Sequence, residues 1–145
     1  MRAPKGCSSI RKSAMSLRRF LPIAALALAV AVAPAQAAEV KKFDRASFEA
    51  ARAAGKPILV DVKAWWCPVC ASQNRTIKKA VAGNAAYDKL VIFEVNYDSQ
   101  KADWQALGVR KQGTLIGYKG AREVGRVEFK ADKAVINELL AQTLR

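Results

Sequence analysis

The amino-acid sequence predicts an α/β domain in which a central mixed sheet is covered by helices on both faces. Apolar runs of strand length, at 58–62 and 90–95, alternate with segments of helical character. A hairpin pattern at 114–129 is followed by a segment with apolar residues at helical spacing, so the sheet is expected to be mixed. The hydrophobic content of 52% excludes a disordered chain and is sufficient for a two-sided core.

The first elements of this domain are a helix and a buried strand. Asp44 is suited to cap an alanine-rich helix, and Gly55 is suited to end it. The run at 58–62 contains one acid among apolar residues, which is typical of a strand covered on both faces. Pro68 is favoured in a first helical turn, so the next helix is predicted to run from there to about residue 82.

The second half of the domain supplies the rest of the sheet. The run at 90–95 predicts another buried strand, and 102–107 predicts a short helix that Gly108 ends. The segments 114–118 and 123–129 predict an antiparallel hairpin. A final amphipathic helix is predicted from a stripe formed by Val135, Ile136, Leu139, Leu140 and Leu144.

Residues 1–37 have the layout of a secretory signal peptide. Arg18 and Arg19 precede an apolar run at 21–32, and the small residues at 33–37 have the spacing that a signal peptidase requires. We expect cleavage after Ala37, which would leave 38–145 as one domain in an oxidising compartment, the periplasm for a bacterial chain. The alternative is an uncleaved N-terminal membrane anchor, because 20–38 is nearly long enough to span a bilayer.

The charge composition excludes several classes of function. The chain carries 25 basic and 12 acidic residues, and six of the basic ones lie in 1–38, which contains no acid. The remaining charges are scattered and form no arginine-rich helix, so no nucleic-acid partner is expected. The absence of histidine excludes Ser-His-Asp and Cys-His catalysis and histidine metal sites.

Cys67-Pro-Val-Cys70 forms a C-x-x-C motif at the predicted strand-to-helix junction. The free N–H groups and positive dipole end of a first helical turn stabilise a thiolate at Cys67, which we expect to be the more exposed sulfur and the nucleophile. Cys70 would then resolve the mixed disulfide formed with a partner. One alternative is a purely structural disulfide, although closing so short a loop removes little entropy from the unfolded chain and so adds little stability. A zinc site is the other, but it would need two further ligands from a second copy.

The segment from Ile58 to Cys70, Ile-Leu-Val-Asp-Val-Lys-Ala-Trp-Trp-Cys-Pro-Val-Cys, resembles the active-site segment of the thioredoxin family. The resemblance extends from about Phe43 to the C-terminus. It implies a thioredoxin-like fold and a monomeric thiol:disulfide oxidoreductase that acts on protein dithiols and disulfides without a bound cofactor. It also favours a reductase supplied by a membrane electron carrier. The alternative is a binding module or metal-handling protein with little exchange activity.

The resemblance assigns roles to two further residues. Asp61 takes the place of the family's buried acid, six residues before the first cysteine, which handles the proton of Cys70. Burial in an apolar strand is also expected to raise the pKa of Asp61, unless backbone hydrogen bonds satisfy the carboxylate for purely structural reasons. Trp66 matches the family's tryptophan beside the disulfide, where it would shape a docking surface together with Trp65. A core position for Trp66 is the alternative.

Gly113 marks the clearest departure from the family, which has a cis-proline at this place. None of the five prolines follows Cys70, so we expect a trans bond between Gln112 and Gly113, with torsions that only glycine readily adopts. In the family the backbone here pairs with the substrate chain, which makes Gln112, Gly113 and Thr114 candidate substrate-binding residues. Glycine is expected to leave a more mobile and accessible loop that admits Cu(I) or Zn(II) to the sulfurs.

Two charged residues also depart from the family pattern. Lys63 stands where many relatives carry an aromatic residue and shares a strand face with Asp61. It would either pair with Asp61 or extend its ammonium to water. Glu94 stands where cytosolic relatives tend to carry a lysine, and it would raise the pKa of Asp61 if both side chains face the same way.

Overall fold

The computed structural model describes residues 37–145, which form a five-stranded mixed sheet with helices on both faces. The elements in chain order are β1 (Glu39–Lys42), α1 (Arg45–Ala53), β2 (Pro57–Lys63), α2 (Pro68–Val81), a 3₁₀ turn (Ala85–Tyr87), β3 (Val91–Asn96), α3 (Lys101–Ala106), β4 (Thr114–Lys119), β5 (Arg122–Glu128) and α4 (Lys133–Leu144). The strand order is β1-β3-β2-β4-β5. Strands β1 and β2 run parallel to β3, while β4 runs antiparallel to β2 and β5. The predicted fold class is confirmed.

The proposed signal peptide lies, apart from Ala37, outside the described residues. Between residues 37 and 145, no helix has the length and apolar character required to cross a membrane.

The predicted caps explain the bounds of α1. The Asp44 carboxylate accepts a hydrogen bond of 2.9 Å from the N–H of Ser47, which satisfies one of the free donors at the start of the helix. At the other end, Gly55 adopts a φ of +69°, the left-handed conformation that commonly ends a helix. Local sequence therefore determines both ends of this helix.

The core has two sides, and the alternation along β2 assigns each side chain to one of them. Ile58, Val60 and Val62 pack on the side that contains α1 and α3. Leu59 packs on the opposite side, with residues of α2 and α4. Because successive strand residues point to opposite faces, Asp61 lies on the side covered by α2, the helix that begins at the C-x-x-C motif.

The sequence pattern does not predict β1. All four of its residues, Glu-Val-Lys-Lys, are exposed, and in the part of the chain that the structure describes the strand pairs only with β3, at the edge of the sheet. Backbone pairing rather than side-chain burial therefore forms this strand, so it leaves no apolar periodicity in the sequence.

Candidate active site

Cys67 and Cys70 form a disulfide at the start of α2, with their Cα atoms 5.3 Å apart. Cys67 is the N-cap residue, and its Sγ accepts a hydrogen bond of 3.2 Å from the N–H of Cys70. Pro68 occupies the first helical turn, where its missing N–H costs no hydrogen bond. The helix N-terminus therefore directs an N–H donor at the sulfur of Cys67, where it would stabilise a thiolate.

The two cysteines do not differ in exposure, whereas the sequence led us to expect that Cys67 would be the more exposed one. In the disulfide form Cys67 is 2% exposed and Cys70 is 3% exposed. Both lie in a small apolar cluster with Ala64. The assignment of Cys67 as nucleophile therefore rests on the hydrogen bond to its sulfur rather than on a more open position.

Asp61 is a buried acid in β2, six residues before Cys67. It is 1% exposed, and its Oδ1 has no hydrogen-bond partner among the described residues. Burial raises the pKa of Asp61 to about 7; Lys63 opposes this shift, and Glu94 adds to it. An unpartnered oxygen argues against the alternative of a carboxylate fully satisfied by the backbone, and the raised pKa means that Asp61 changes protonation state near neutral pH.

Lys63 forms an ion pair with Glu94, not with Asp61. Asp61 and Glu94 are register partners on neighbouring parallel strands, so both lie on the α2 side of the sheet. The ion pair considered between Lys63 and Asp61 is therefore corrected. The Lys63 ammonium pairs with the more exposed carboxylate of Glu94, because full burial of the ammonium beside Asp61 would cost it the free energy of its hydration. The expected effect of Glu94 on the pKa of Asp61 is confirmed in direction.

Opposite changes to this ion pair should move the pKa of Asp61 in opposite directions. Glu94→Gln removes a negative charge and frees Lys63, so Asp61 should titrate below its wild-type pKa of about 7. Lys63→Met removes the cation and leaves Glu94, so Asp61 should titrate above it. Carboxyl-carbon NMR across a pH series measures both shifts.

The matched control is Glu39→Gln, because Glu39 forms an ion pair with Lys41 at the exposed edge of the sheet. It should leave the titration of Asp61 unchanged. Shifts in the same direction for Glu94→Gln and Lys63→Met would contradict the electrostatic account.

Both tryptophans before the motif are exposed. Trp65 is 90% exposed and Trp66 is 47% exposed, so the core position considered for Trp66 is not observed. The indole N–H of Trp66 contacts the carboxylate oxygens of Asp98 at 3.2 and 3.3 Å, which orients the ring. The two rings supply exposed apolar area beside the disulfide, as a surface for a polypeptide requires.

Gly113 has a trans peptide bond and a φ of +70°, as expected for glycine at this place. The loop is not open, however. Gly113 is buried, its N–H donates to the C=O of Val62 at 2.8 Å, and its C=O accepts from the N–H of Phe129 at 2.8 Å. A Cβ built on Gly113 would lie 3.2 Å from the Phe129 ring and 3.5 Å from Val69 in the C-x-x-C loop. The expectation of an accessible loop is therefore corrected, because the β5–α4 connection covers the site where a proline ring would stand.

Gln73 and Phe129 are site residues that the sequence analysis missed. Gln73 is fully buried in α2, and its side-chain amide donates to the C=O groups of Gly113 and Lys130, each at 2.9 Å. It therefore ties the active-site helix to the Gly113 loop. Its spacing from Cys70 and Ile77 along one helix face could have revealed its burial. Phe129 offered no such signal, because its position depends on the end of β5.

Gly113→Ala should destabilise the protein through both backbone and packing. A left-handed conformation costs a residue with a Cβ about 1–2 kcal/mol, and the added methyl must also displace the Phe129 ring. Gly83→Ala is the matched control, because Gly83 has a φ of +64° and open space around its Cα. Denaturant unfolding should show the larger loss for Gly113→Ala. Equal losses would mean that the packing against Phe129 contributes nothing.

The other two residues considered for substrate binding differ in their availability. Thr114 is buried, and its hydroxyl donates to the C=O of Lys111 at 2.9 Å, so its side chain supports the loop. Gln112 is partly exposed, and within residues 37–145 no hydrogen bond engages its N–H or C=O. The backbone of Gln112 is thus available to pair with an extended chain.

The fold and this site define a class of protein: a thiol:disulfide oxidoreductase with a redox-active C-x-x-C pair on a sheet-and-helix scaffold. The family model described as Thioredoxin matches residues 39–142, and the chain belongs to the thioredoxin family. Thioredoxin-2 of Saccharomyces cerevisiae is 36% identical over 100 residues, which cover 67% of this chain and 90% of the relative. Thioredoxin of Alicyclobacillus acidocaldarius is 29% identical over 100 residues, covering 69% and 93%.

A solved structure supports the same assignment. The crystal structure of Trxlp from Edwardsiella tarda is 39% identical and has a TM-score of 0.67, covering 70% of this chain and 98% of that one. The chain is accordingly a thiol:disulfide oxidoreductase of the thioredoxin family.

Proposed function

We propose that this oxidoreductase is an exported, monomeric reductase of protein disulfides that receives its electrons from a membrane electron carrier. The observation that carries the reducing direction is that, among the described residues, no cationic side chain donates a hydrogen bond to the sulfur of Cys67. That sulfur accepts one backbone N–H bond, and the ammonium of Lys63 is engaged by Glu94. A strong oxidant owes its potential to a stabilised reduced form, and this site gives the thiolate little such stabilisation.

Asp61 supports the same direction. A negative charge on this buried acid disfavours a second negative charge nearby, which further limits thiolate stabilisation. In the reducing reaction, the Cys67 thiolate attacks the substrate disulfide and releases one substrate thiolate. Cys70 then loses its proton to Asp61 and displaces the second substrate sulfur. An acid with a pKa of about 7 is suited to accept that proton and to return it to water.

Insulin reduction by dithiothreitol tests the proposal. Wild type should accelerate the reaction, and Cys67→Ser should not. Equilibration with a glutathione buffer should give a potential of roughly −250 mV or lower, near that of other reducing dithiols. A value above about −200 mV would instead identify an oxidant or isomerase. Failure of wild type to accelerate reduction would favour the binding-module alternative.

Export is supported by the arrangement of residues 1–37, with Arg18 and Arg19 before an apolar run and small residues at its end. The family match begins at residue 39, just after the proposed cleavage position. Expression of the whole chain in a bacterial host should yield a periplasmic product whose mass corresponds to 38–145. A full-length product retained in the membrane fraction would contradict cleavage and indicate an anchor.

A further inference from the structure

We propose that the cleft beside the disulfide is a subsite for disulfides whose substituents carry carboxylates. This proposal rests on the exchange function proposed above and adds the class of substrate. The cleft has a volume of about 730 Å³, and both Cys67 and Cys70 line it. Its volume lies in the range of sites that hold small molecules.

The cleft is separate from the Gly113 loop. Gly113 packs against Val69 and Gln73, and neither of these residues lines the cleft. The cleft is bordered instead by α2 and by the C-terminal ends of β2 and β3, where Lys63 and Glu94 lie. The exposed ring of Trp65 stands at its rim. A ligand in the cleft would therefore reach the disulfide from a side that the polypeptide contacts of Gln112 do not use.

The charge of the cleft is positive. Three lysines, Lys42, Lys63 and Lys78, line it together with one acid, Glu94. In the Lys63–Glu94 ion pair, one of the three positive charges and the one negative charge cancel each other. Within residues 37–145, Lys42 and Lys78 have no carboxylate within salt-bridge distance, so both remain to bind an anion.

The spacing along α2 connects this charge to the sulfurs. Cys70, Asn74 and Lys78 follow one another at intervals of four residues, so they share a helix face directed into the cleft. Eight residues of helix place Lys78 about 12 Å along the axis from Cys70. A carboxylate on the order of 10 Å from a ligand's sulfur could therefore contact the ammonium while that sulfur lies at the cysteines.

The reaction transfers two electrons from the reduced protein to the ligand. The Cys67 thiolate attacks the ligand disulfide, which breaks and releases one ligand thiolate. The Cys70 thiol passes its proton to Asp61, the acceptor proposed above, and attacks Cys67, which releases the second ligand thiolate and leaves the Cys67–Cys70 disulfide. The released thiolates take protons from solvent.

The test measures oxidation of the reduced protein by three disulfides at low ionic strength: anionic oxidised glutathione, neutral 2-hydroxyethyl disulfide and cationic cystamine. The double variant Lys42→Glu/Lys78→Glu should lower the ratio of the glutathione rate to the hydroxyethyl rate about tenfold. The same variant should raise the ratio for cystamine. Ratios are compared because they cancel general changes in thiol reactivity.

The double variant Lys41→Glu/Lys79→Glu is the control, because it changes the net charge equally at residues that do not line the cleft. Lys41 forms an ion pair with Glu39, and Lys79 lines a different groove on α2. The rate ratios of this control should stay within about twofold of wild type. That result is expected if contacts in the cleft, rather than long-range attraction by the net charge of the protein, set the preference for anionic disulfides. The proposal would be overturned if the ratio of the glutathione rate to the hydroxyethyl rate fell equally in both double variants, or if it fell in neither of them.

A binding measurement separates the subsite from the exchange reaction. S-methylglutathione carries the same carboxylates but no reactive sulfur, so its saturable quenching of tryptophan fluorescence in the oxidised wild type should weaken about tenfold in Lys42→Glu/Lys78→Glu. No saturable quenching in wild type would overturn the subsite even if exchange with hydroxyethyl disulfide is normal. Conversely, failure of wild type to exchange with any of the three disulfides or with insulin would overturn the proposed function itself.

Discussion

The Cys70→Ser variant is expected to accumulate mixed disulfides with partner proteins, whereas Cys67→Ser should form none and lose all catalysed exchange. The N–H of Cys70 donates to the sulfur of Cys67 at the start of α2, so the first attack falls to Cys67. Without the resolving thiol the intermediate persists. Non-reducing electrophoresis of each variant after incubation with an oxidised substrate protein measures this difference.

Alkylation provides the independent check of this order. In the reduced protein at mildly acidic pH, the thiol with the larger thiolate fraction is labelled first, and peptide mapping distinguishes the two positions. Cys67 should be labelled faster. Faster labelling of Cys70 would reverse the assigned roles.

Asp61→Asn should stabilise the fold by an amount that grows with pH. Burial raises the folded pKa of Asp61 to about 7, while the unfolded value is near 3.9. Below about pH 4 the acid is protonated in both states and carries no ionisation penalty. Between about pH 4 and 7 the folded state binds a proton that the unfolded state has lost, so wild-type stability falls as pH rises. Above about pH 7 the full penalty remains, on the order of 4 kcal/mol at about 1.4 kcal/mol per unit.

Urea unfolding of wild type and Asp61→Asn at pH 4, 6 and 8 measures this difference. Asp88→Asn is the control, because it makes the same chemical change at a partly exposed residue; the difference from wild type should grow with pH more for Asp61→Asn than for Asp88→Asn. A difference in the free energy of unfolding between Asp61→Asn and wild type that is independent of pH would show that Asp61 is ionised and satisfied in the folded state.

Turnover of Asp61→Asn should also fall at neutral pH, because the resolution step loses its proton acceptor.

Several elements could be predicted because local sequence determines them. Asp44 and Gly55 cap α1, Pro68 starts α2, and the apolar runs in β2 and β3 are buried on both faces. The C-x-x-C pair and the raised pKa of Asp61 follow from the same local signals, namely a helix start and an acid inside an apolar strand.

The remaining features depend on contacts between distant segments. The ion pair of Lys63 with Glu94 requires the register of β2 against β3, which no local pattern specifies. The closure of the Gly113 loop requires Phe129 from the far end of the hairpin. The energetic cost of a cis bond before a residue other than proline predicted the trans bond correctly, whereas the comparison with relatives that carry a proline at that place predicted the accessibility incorrectly.

The sheet order has a consequence for solubility. Within residues 37–145, strands β1 and β5 form the two edges, and each presents unpaired backbone groups to which another strand could add. Charged side chains lie along both strands, Lys41 and Lys42 on β1 and Arg122, Glu123 and Arg126 on β5. A strand that added at either edge would take these charged groups out of water, which costs free energy. Charged edges therefore guard a crowded solution of this protein against strand-by-strand aggregation, a protection that apolar substitutions at these positions would remove.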